Sequence, residues 1–261
     1  MITFENPWNR VGIGNHFFIY SYMRLMAENL NYKMVSPPML FSERNGLHSQ
    51  TYYQFKNIDT GIDNTGNEKY GIDDGFSFRN ENIDEAIDFF KSKNHHIISC
   101  GWYQKYSYWK KYKDQVKGFF TDFISEDKMG NNDIAIHLRH SLENPITKIN
   151  ADYYINAIEK MGGDKVYLFA DNFSRHEDIL EKLKPYNPII MNLNVPDSIK
   201  EITKFNKIIC SQGSFSFWVS FLSNAEKIIW PITKIGPNKI EDNWSIDYVV
   251  DDEPRYEFIM L

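Results

Sequence analysis

Apolar residues first take up a helical period near Asn15, where Phe18, Tyr22, Leu25 and Met26 share one face of a 3.6-residue repeat. The reading is a helix that begins after a glycine turn. Lys33-Met34-Val35-Ser36 is a short strand stopped by Pro37 and Pro38, and from about 42 to 95 the periodicity fades. Residues 57–75 are rich in Gly, Asn and Asp, which predicts surface loops or short hairpins. Such a stretch either shapes a binding site or is inert decoration. A strand over Ile97–Cys100 leads into an amphipathic helix carried by Trp109, Tyr112, Val116, Phe119 and Phe123 and ending near Ser125. The polar run Glu126–Asn132 then predicts a boundary between a domain of residues 1–127 and one of residues 128–261.

Beyond that break the pattern is regular. Strands over Asp133–Arg139, Lys165–Ala170, Pro188–Met191, Lys207–Cys210 and Lys227–Trp230 alternate with helices from about Ala151, around His176–Leu183, from about Asp197 and from about Phe215. Alternation of this kind predicts a parallel sheet covered on both faces, with any ligand outside the carboxyl ends of its strands.

Composition narrows the class. With 42% apolar residues in 261, the chain has enough material for one large core or two modest ones. A net charge of −6 argues against a general nucleic-acid binder, so any phosphate site has to be local. No apolar run reaches about 18 residues and the N-terminus has no signal-peptide pattern, so the expectation is a cytoplasmic protein without an integral membrane segment. Cys100 and Cys210 each end a strand-like run, where burial as small hydrophobes is the simpler reading. The aromatic patch Trp102–Trp109 offers faces for a sugar or packs inside, and its continuation at helical spacing favours packing.

Chemistry concentrates at the expected strand ends. Alternation with Ile134 and Ile136 puts His137 and Arg139 on one face at a carboxyl end, where a guanidinium offers a planar fork to two phosphate oxygens. The alternative for Arg139 is a surface salt bridge. Ser211, Gln212, Gly213, Ser214 and Phe215 follow the next strand and open an apolar helix, placing hydroxyls and free N–H groups at a helix N-terminus that favours anions; alone, they would be an ordinary serine cap. Gly12, Gly14 and Asn15 precede the first helix without the third glycine of a dinucleotide fingerprint, so a nicotinamide or flavin reading is rejected. Asp171 ends another strand, as site acid or helix cap. No Asp-x-Asp, metal-spaced histidine set or zinc-type cysteine pair occurs, so no metal is signalled.

Taken in order, Gly-x-Gly-Asn before an aromatic helix, His-x-Arg at a central strand end, Phe-x-Asp, then Ser-Phe-Ser-Phe-Trp resembles the alpha-1,2-fucosyltransferases of glycosyltransferase family 11. The resemblance runs from Gly12 to Trp230 and extends to the wider fucosyltransferase group. It implies an α/β, GT-B-like fold of two facing Rossmann-like domains with parallel sheets, the first on the acceptor side and the second binding the GDP-sugar. It further implies that Arg139 binds the pyrophosphate with His137 as companion, and that the 211–214 loop contacts phosphates. Asp197 falls near the acid that recognises guanine, and Asn15 beside the sugar, next to His16. The chain departs from the pattern at His140, Leu142, His16 and Asn172, which leaves other GDP-6-deoxy sugars open as donors.

The function so implied is metal-independent transfer of a 6-deoxyhexose, L-fucose from GDP-fucose first among them, to an oligosaccharide or glycan hydroxyl with inversion. No cofactor beyond the donor substrate is needed. His16, His137, His140 and Glu43 are the candidate proton acceptors. The rivals are a non-catalytic nucleotide-sugar or glycan binder and a transferase using another nucleotide donor.

Overall fold

The computed structural model describes residues 1–4, 12–35, 39–41, 51–53, 69–72, 83–91, 96–99, 103–130, 132–139, 149–232 and 248–261. The chain divides into two compact units, Met1–Val116 and Lys117–Leu261. That division precedes the polar run at 126–132 because Phe120 and Phe123 pack with the second unit: Phe120 lies 5.0 Å from the ring of Trp218, and the carbonyl of Phe123 faces the Thr203 hydroxyl.

In the first unit β1 (Ile2–Phe4) is followed by α1 (Ile13–Leu30) and β2 (Met34–Val35). An antiparallel pair, β3 (Met39–Phe41) and β4 (Thr51–Tyr53), comes next, and then β5 (Lys69–Ile72), α2 (Ile83–Lys91) and β6 (His96–Ser99). The sheet order is β2-β1-β6-β5, parallel throughout. Three elements here differ from the sequence reading. Strand β1, ahead of the first glycines, was not foreseen. The Gly/Asn-rich run contains β5, whose partner is the distant β6 instead of a hairpin neighbour. And α2 occupies part of the stretch read as aperiodic, with Ile83, Ala86, Ile87 and Phe90 buried on one face.

α1 is buried on nearly all sides, so it forms the unit's core. Tyr22 stacks on Tyr103 with ring centroids 4.1 Å apart, and Trp109 sits between Phe18 and Tyr106. Tyr103, Tyr106, Tyr108 and Trp109 are all buried, so these members of the aromatic patch pack inside. The single helix expected from Trp109 to Ser125 is broken into 3-10 turns at Tyr106–Tyr108, Lys110–Tyr112 and Thr121–Phe123 around a short α3 (Lys113–Gly118). Gly118 ends α3, and Trp109, Val116 and Phe123 still reach the interior, while Tyr112 and Phe119 are half-buried.

The second unit follows the expected alternation: β7 (Ile134–Leu138), α4 (Ala151–Met161), β8 (Val166–Ala170), α5 (Glu177–Leu183), β9 (Ile189–Met191), α6 (Val195–Ile202), β10 (Lys207–Ile209), α7 (Ser214–Leu222) and β11 (Lys227–Ile232). A last strand, β12 (Tyr256–Met260), was not foreseen. The order β12-β11-β10-β7-β8-β9 is fully parallel, with Ile134, Ala135 and Ile136 in register with Lys207, Ile208 and Ile209. Ile134, Ile136 and Leu138 pack with α4 and α5 residues, while His137 turns toward α7. Both units are therefore α/β with parallel sheets, GT-B-like in composition.

Among the described residues no helix is long and apolar enough to cross a membrane.

Candidate functional site

The strand order places a switch point at β7 and β10. From β7 the chain winds outward through β8 to β9, then returns to the other side of β7 as β10. Ligands of open α/β sheets bind where the winding reverses, outside the carboxyl ends. Those two ends carry His137 and Arg139 on β7 and the Ser211–Phe215 loop after β10.

His137 is buried and keyed into the loop. Its Nδ1 lies 2.7 Å from the Ser216 hydroxyl and 3.1 Å from that of Ser211. The two hydroxyls are 3.0 Å apart, and the Ser211 N–H donates to Ser216 Oγ at 3.1 Å. The ring of Phe215 covers the imidazole, centroid to centroid 4.6 Å. Burial first, and then the charges of Arg139 and of His176 at the start of α5, pull the imidazole down to about 3. It is therefore neutral at physiological pH, a hydrogen-bonding group and not a cation.

This depression predicts a stability signature. The folded value lies below the ordinary histidine value near 6.5, so the stabilisation is complete above about 6.5 and is lost as pH falls toward about 3. At pH 5 the linkage amounts to about 2 kcal/mol. Urea unfolding at pH 7 and pH 5 should show the stability advantage of wild type over His137→Gln shrinking by that order; a constant difference would contradict the neutral buried ring.

Arg139 is exposed, and among the described residues no carboxylate pairs with it, so the salt-bridge alternative is not what the structure shows there. Its side chain lies across Gly213: a Cβ built on that glycine would sit 3.2 Å from Arg139 Nε and 3.3 Å from Cδ. Gly213 is the N-cap of α7 at φ 104°, ψ 170°, a region open essentially to glycine alone. The guanidinium thus rests beside the N-terminal turn of a nine-residue helix. Tyr248, buried, hydrogen-bonds the Ser214 side chain and lies near Arg139; burial pushes its phenol up. Tyr153 of α4 donates to the carbonyl of Cys210 at 2.8 Å, pinning the strand end that feeds the loop. Cys210 itself is buried, its thiol pushed up by that burial, and it serves as the small hydrophobe expected. The Gln212 side-chain nitrogen is buried with no hydrogen-bond partner among the described residues, leaving one spare donor in the loop.

The sheet brings two further predicted residues to the same carboxyl edge. Asp171 is exposed just after β8. Asp197, also exposed, sits in the first turn of α6 after β9. Asn194 is the cap of that helix: its Oδ1 accepts the Asp197 N–H at 2.9 Å while its Nδ2 donates to Asp197 Oδ2 at 2.7 Å. The two form a reciprocal capping pair.

Gly14, Asn15 and His16 belong to the first unit. Gly12 caps α1, so Gly14 lies within the helix's first turn and not in a turn before it, and His16 is buried there. His140 and Glu43 lie outside the described residues. Ser216, Tyr248, Tyr153 and His176 were not singled out from the sequence. Ser216 is the second serine of the Ser-Phe-Ser-Phe-Trp motif, which by itself gave it no role. No group of three or more metal-ligating side chains occurs among the described residues.

Neither a protein-family model nor a curated protein sequence matches the chain. Among solved structures the chain is similar to POFUT1 in complex with GDP-fucose, with TM-score 0.52 and 11% identity over 86% of this chain and 94% of that one. The apo form of POFUT1 gives TM-score 0.50 and 12% identity over 84% and 93%. At these identities the shared feature is the fold.

Proposed function

We propose that this chain is a glycosyltransferase that moves a 6-deoxyhexose, L-fucose from GDP-fucose, onto a glycan hydroxyl with inversion, in the manner of the family 11 enzymes. The observation that carries the reading is Arg139, paired with no carboxylate among the described residues and laid across Gly213 at the N-terminus of α7, at the sheet's switch point. Support comes from the fold it shares with POFUT1, one of whose solved structures holds GDP-fucose.

The chemistry suits these groups. The acceptor oxygen attacks the anomeric carbon while the bond from that carbon to the β-phosphate oxygen breaks. The bonding pair departs on GDP, and the hydroxyl proton passes to a base. Negative charge therefore grows on the diphosphate, and only interactions that strengthen as it grows accelerate the step. Arg139, the α7 N–H groups, the Ser214 hydroxyl and the spare Gln212 donor supply them. His137, with its basicity held low, positions the loop, and His16 is the candidate base among the described residues. The family resemblance assigns Gly14, Asn15 and Asp171 to donor binding.

The direct test is incubation with GDP-fucose, with and without an oligosaccharide panel, following released GDP and the anomeric configuration of the product by NMR. Acceptor-dependent GDP release with an inverted linkage is expected; tight nucleotide binding without turnover would leave a non-catalytic binder instead.

Two further outcomes are expected. GDP should raise the melting temperature more than UDP or ADP, because the Asp197 carboxylate can accept from both the N1–H and the exocyclic amine of guanine. At about 100 times the dissociation constant the gain is about 2.7 kcal/mol, a shift of a few degrees. Asp197→Ala should reduce the GDP shift and spare the UDP shift, at a capping cost of at most about 1 kcal/mol. Equal shifts with all three diphosphates would remove the guanine assignment. Activity should also persist in a chelator, since an arginine and backbone donors take the role that Asp-x-Asp gives to a metal. A loss restored only by manganese or magnesium would overturn that expectation.

A further inference from the structure

Ser216 occupies the third position of α7 and is completely buried. Its hydroxyl has one proton to give and two lone pairs. One lone pair takes the Ser211 N–H at 3.1 Å, and the Ser211 hydroxyl stands 3.0 Å away, able to donate to the other. The remaining contact, to His137 Nδ1, is the shortest of the set at 2.7 Å. That length is typical of a hydroxyl donor and lies at the short limit of about 2.7–3.2 Å for an N–H donor to oxygen. Every group in the cluster is satisfied when Ser211 Oγ–H donates to Ser216 and Ser216 Oγ–H donates to Nδ1. The imidazole then carries its proton on Nε2, which no group reaches among the described residues.

Building on the donor-site reading above, we propose that Ser216 is a positioning residue that fixes His137 as the Nε2–H tautomer, presenting a neutral N–H donor to a ligand oxygen at the switch point. The tautomer of a histidine is set by the hydrogen bond its other nitrogen makes. A neutral donor suits a place beside Arg139: it adds a hydrogen bond to an anionic oxygen without a second cation that burial would penalise. The same hydroxyl ties the Ser211 backbone to α7, so the loop and the imidazole are oriented by one atom.

The test uses full-length protein labelled with 15N-histidine, the His137 signals being assigned from their loss in His137→Gln. Without nucleotide, wild type should show an N–H-type Nε2 and a bare, accepting Nδ1, unchanged between about pH 6 and 8. Ser216→Ala should lose that pattern and show averaged tautomers. Ser220→Ala removes another buried hydroxyl from the same helix, one bonded to the Phe217 carbonyl, and should leave the pattern intact. A wild-type proton on Nδ1 overturns the proposal with no variant needed. So does an unchanged tautomer in Ser216→Ala, or an equal change in Ser220→Ala. With GDP added, the wild-type Nε2 resonance should move and the dissociation constant of Ser216→Ala should rise about tenfold, the worth of one hydrogen bond. GDP that binds without moving Nε2 overturns the ligand-facing role. Failure of GDP to bind wild type at all instead sinks the donor-site reading, and the nucleotide-free spectra still decide the role of Ser216.

Discussion

Arg139→Ala is expected to slow sugar transfer about 100-fold while leaving the fold intact, a loss of about 3 kcal/mol of transition-state stabilisation. The side chain is exposed and pairs with no carboxylate among the described residues, so removing it breaks no structural ion pair there. What is lost is a fork of donors aimed where the diphosphate gains charge. Lysine should rescue poorly, because a point charge cannot reproduce two parallel hydrogen bonds. The measurement is kcat/KM for GDP-fucose alongside urea unfolding. Near-normal turnover in a folded Arg139→Ala protein would show that the diphosphate is held elsewhere.

Gly213→Ala is expected to cost both stability and activity through one added methyl group. At φ 104° and ψ 170° any L side chain is strained, by about 1–3 kcal/mol. The new Cβ would also press on Arg139 at 3.2 Å from Nε, closer than carbon and nitrogen normally rest. Either the loop turns or the arginine moves, and both displace the fork from the helix N-terminus. A loss of transfer approaching that of Arg139→Ala is the expected result, since a misplacement of about 1 Å can cost about 100-fold. The double variant separates the causes. If Gly213 acts by placing Arg139, adding Gly213→Ala to Arg139→Ala should reduce transfer little further, whereas additive losses would make the two independent.

The second unit was legible in the sequence because its signals are local. Parallel strands buried on both faces read as short apolar runs such as Ile208-Ile209, and each helix shows its buried stripe at a 3.6-residue period. Alternation about Ile134 and Ile136 puts His137 and Arg139 on one face, and the contacts with α7 place His137 there. The first unit was harder. β1 and β5 are three and four residues long, too short to show a period, and β5 is completed by pairing with β6. α2 was missed although its buried face is regular, because the Gly/Asn-rich residues before it set the expectation for the whole stretch. The broken helix at 106–123 shows the converse: apolar spacing survived where the backbone changed to 3-10 turns.

By itself the sequence determined the α/β class, the strand–helix alternation of the second half and the residue types collected at its strand ends, because periodicity and turn chemistry act over a few residues. Only the tertiary structure decided the strand order, and with it that β7 and β10 are neighbours at a switch point, since pairing joins residues some seventy positions apart, as Ile134 with Lys207. That pairing brings Ser216 within hydrogen-bond reach of His137, lays Arg139 on Gly213 and sets Tyr248 behind Ser214. It also turned a histidine of ordinary pKa into one that is neutral at physiological pH, because burial and a neighbouring cation are properties of the folded surroundings and not of the residue.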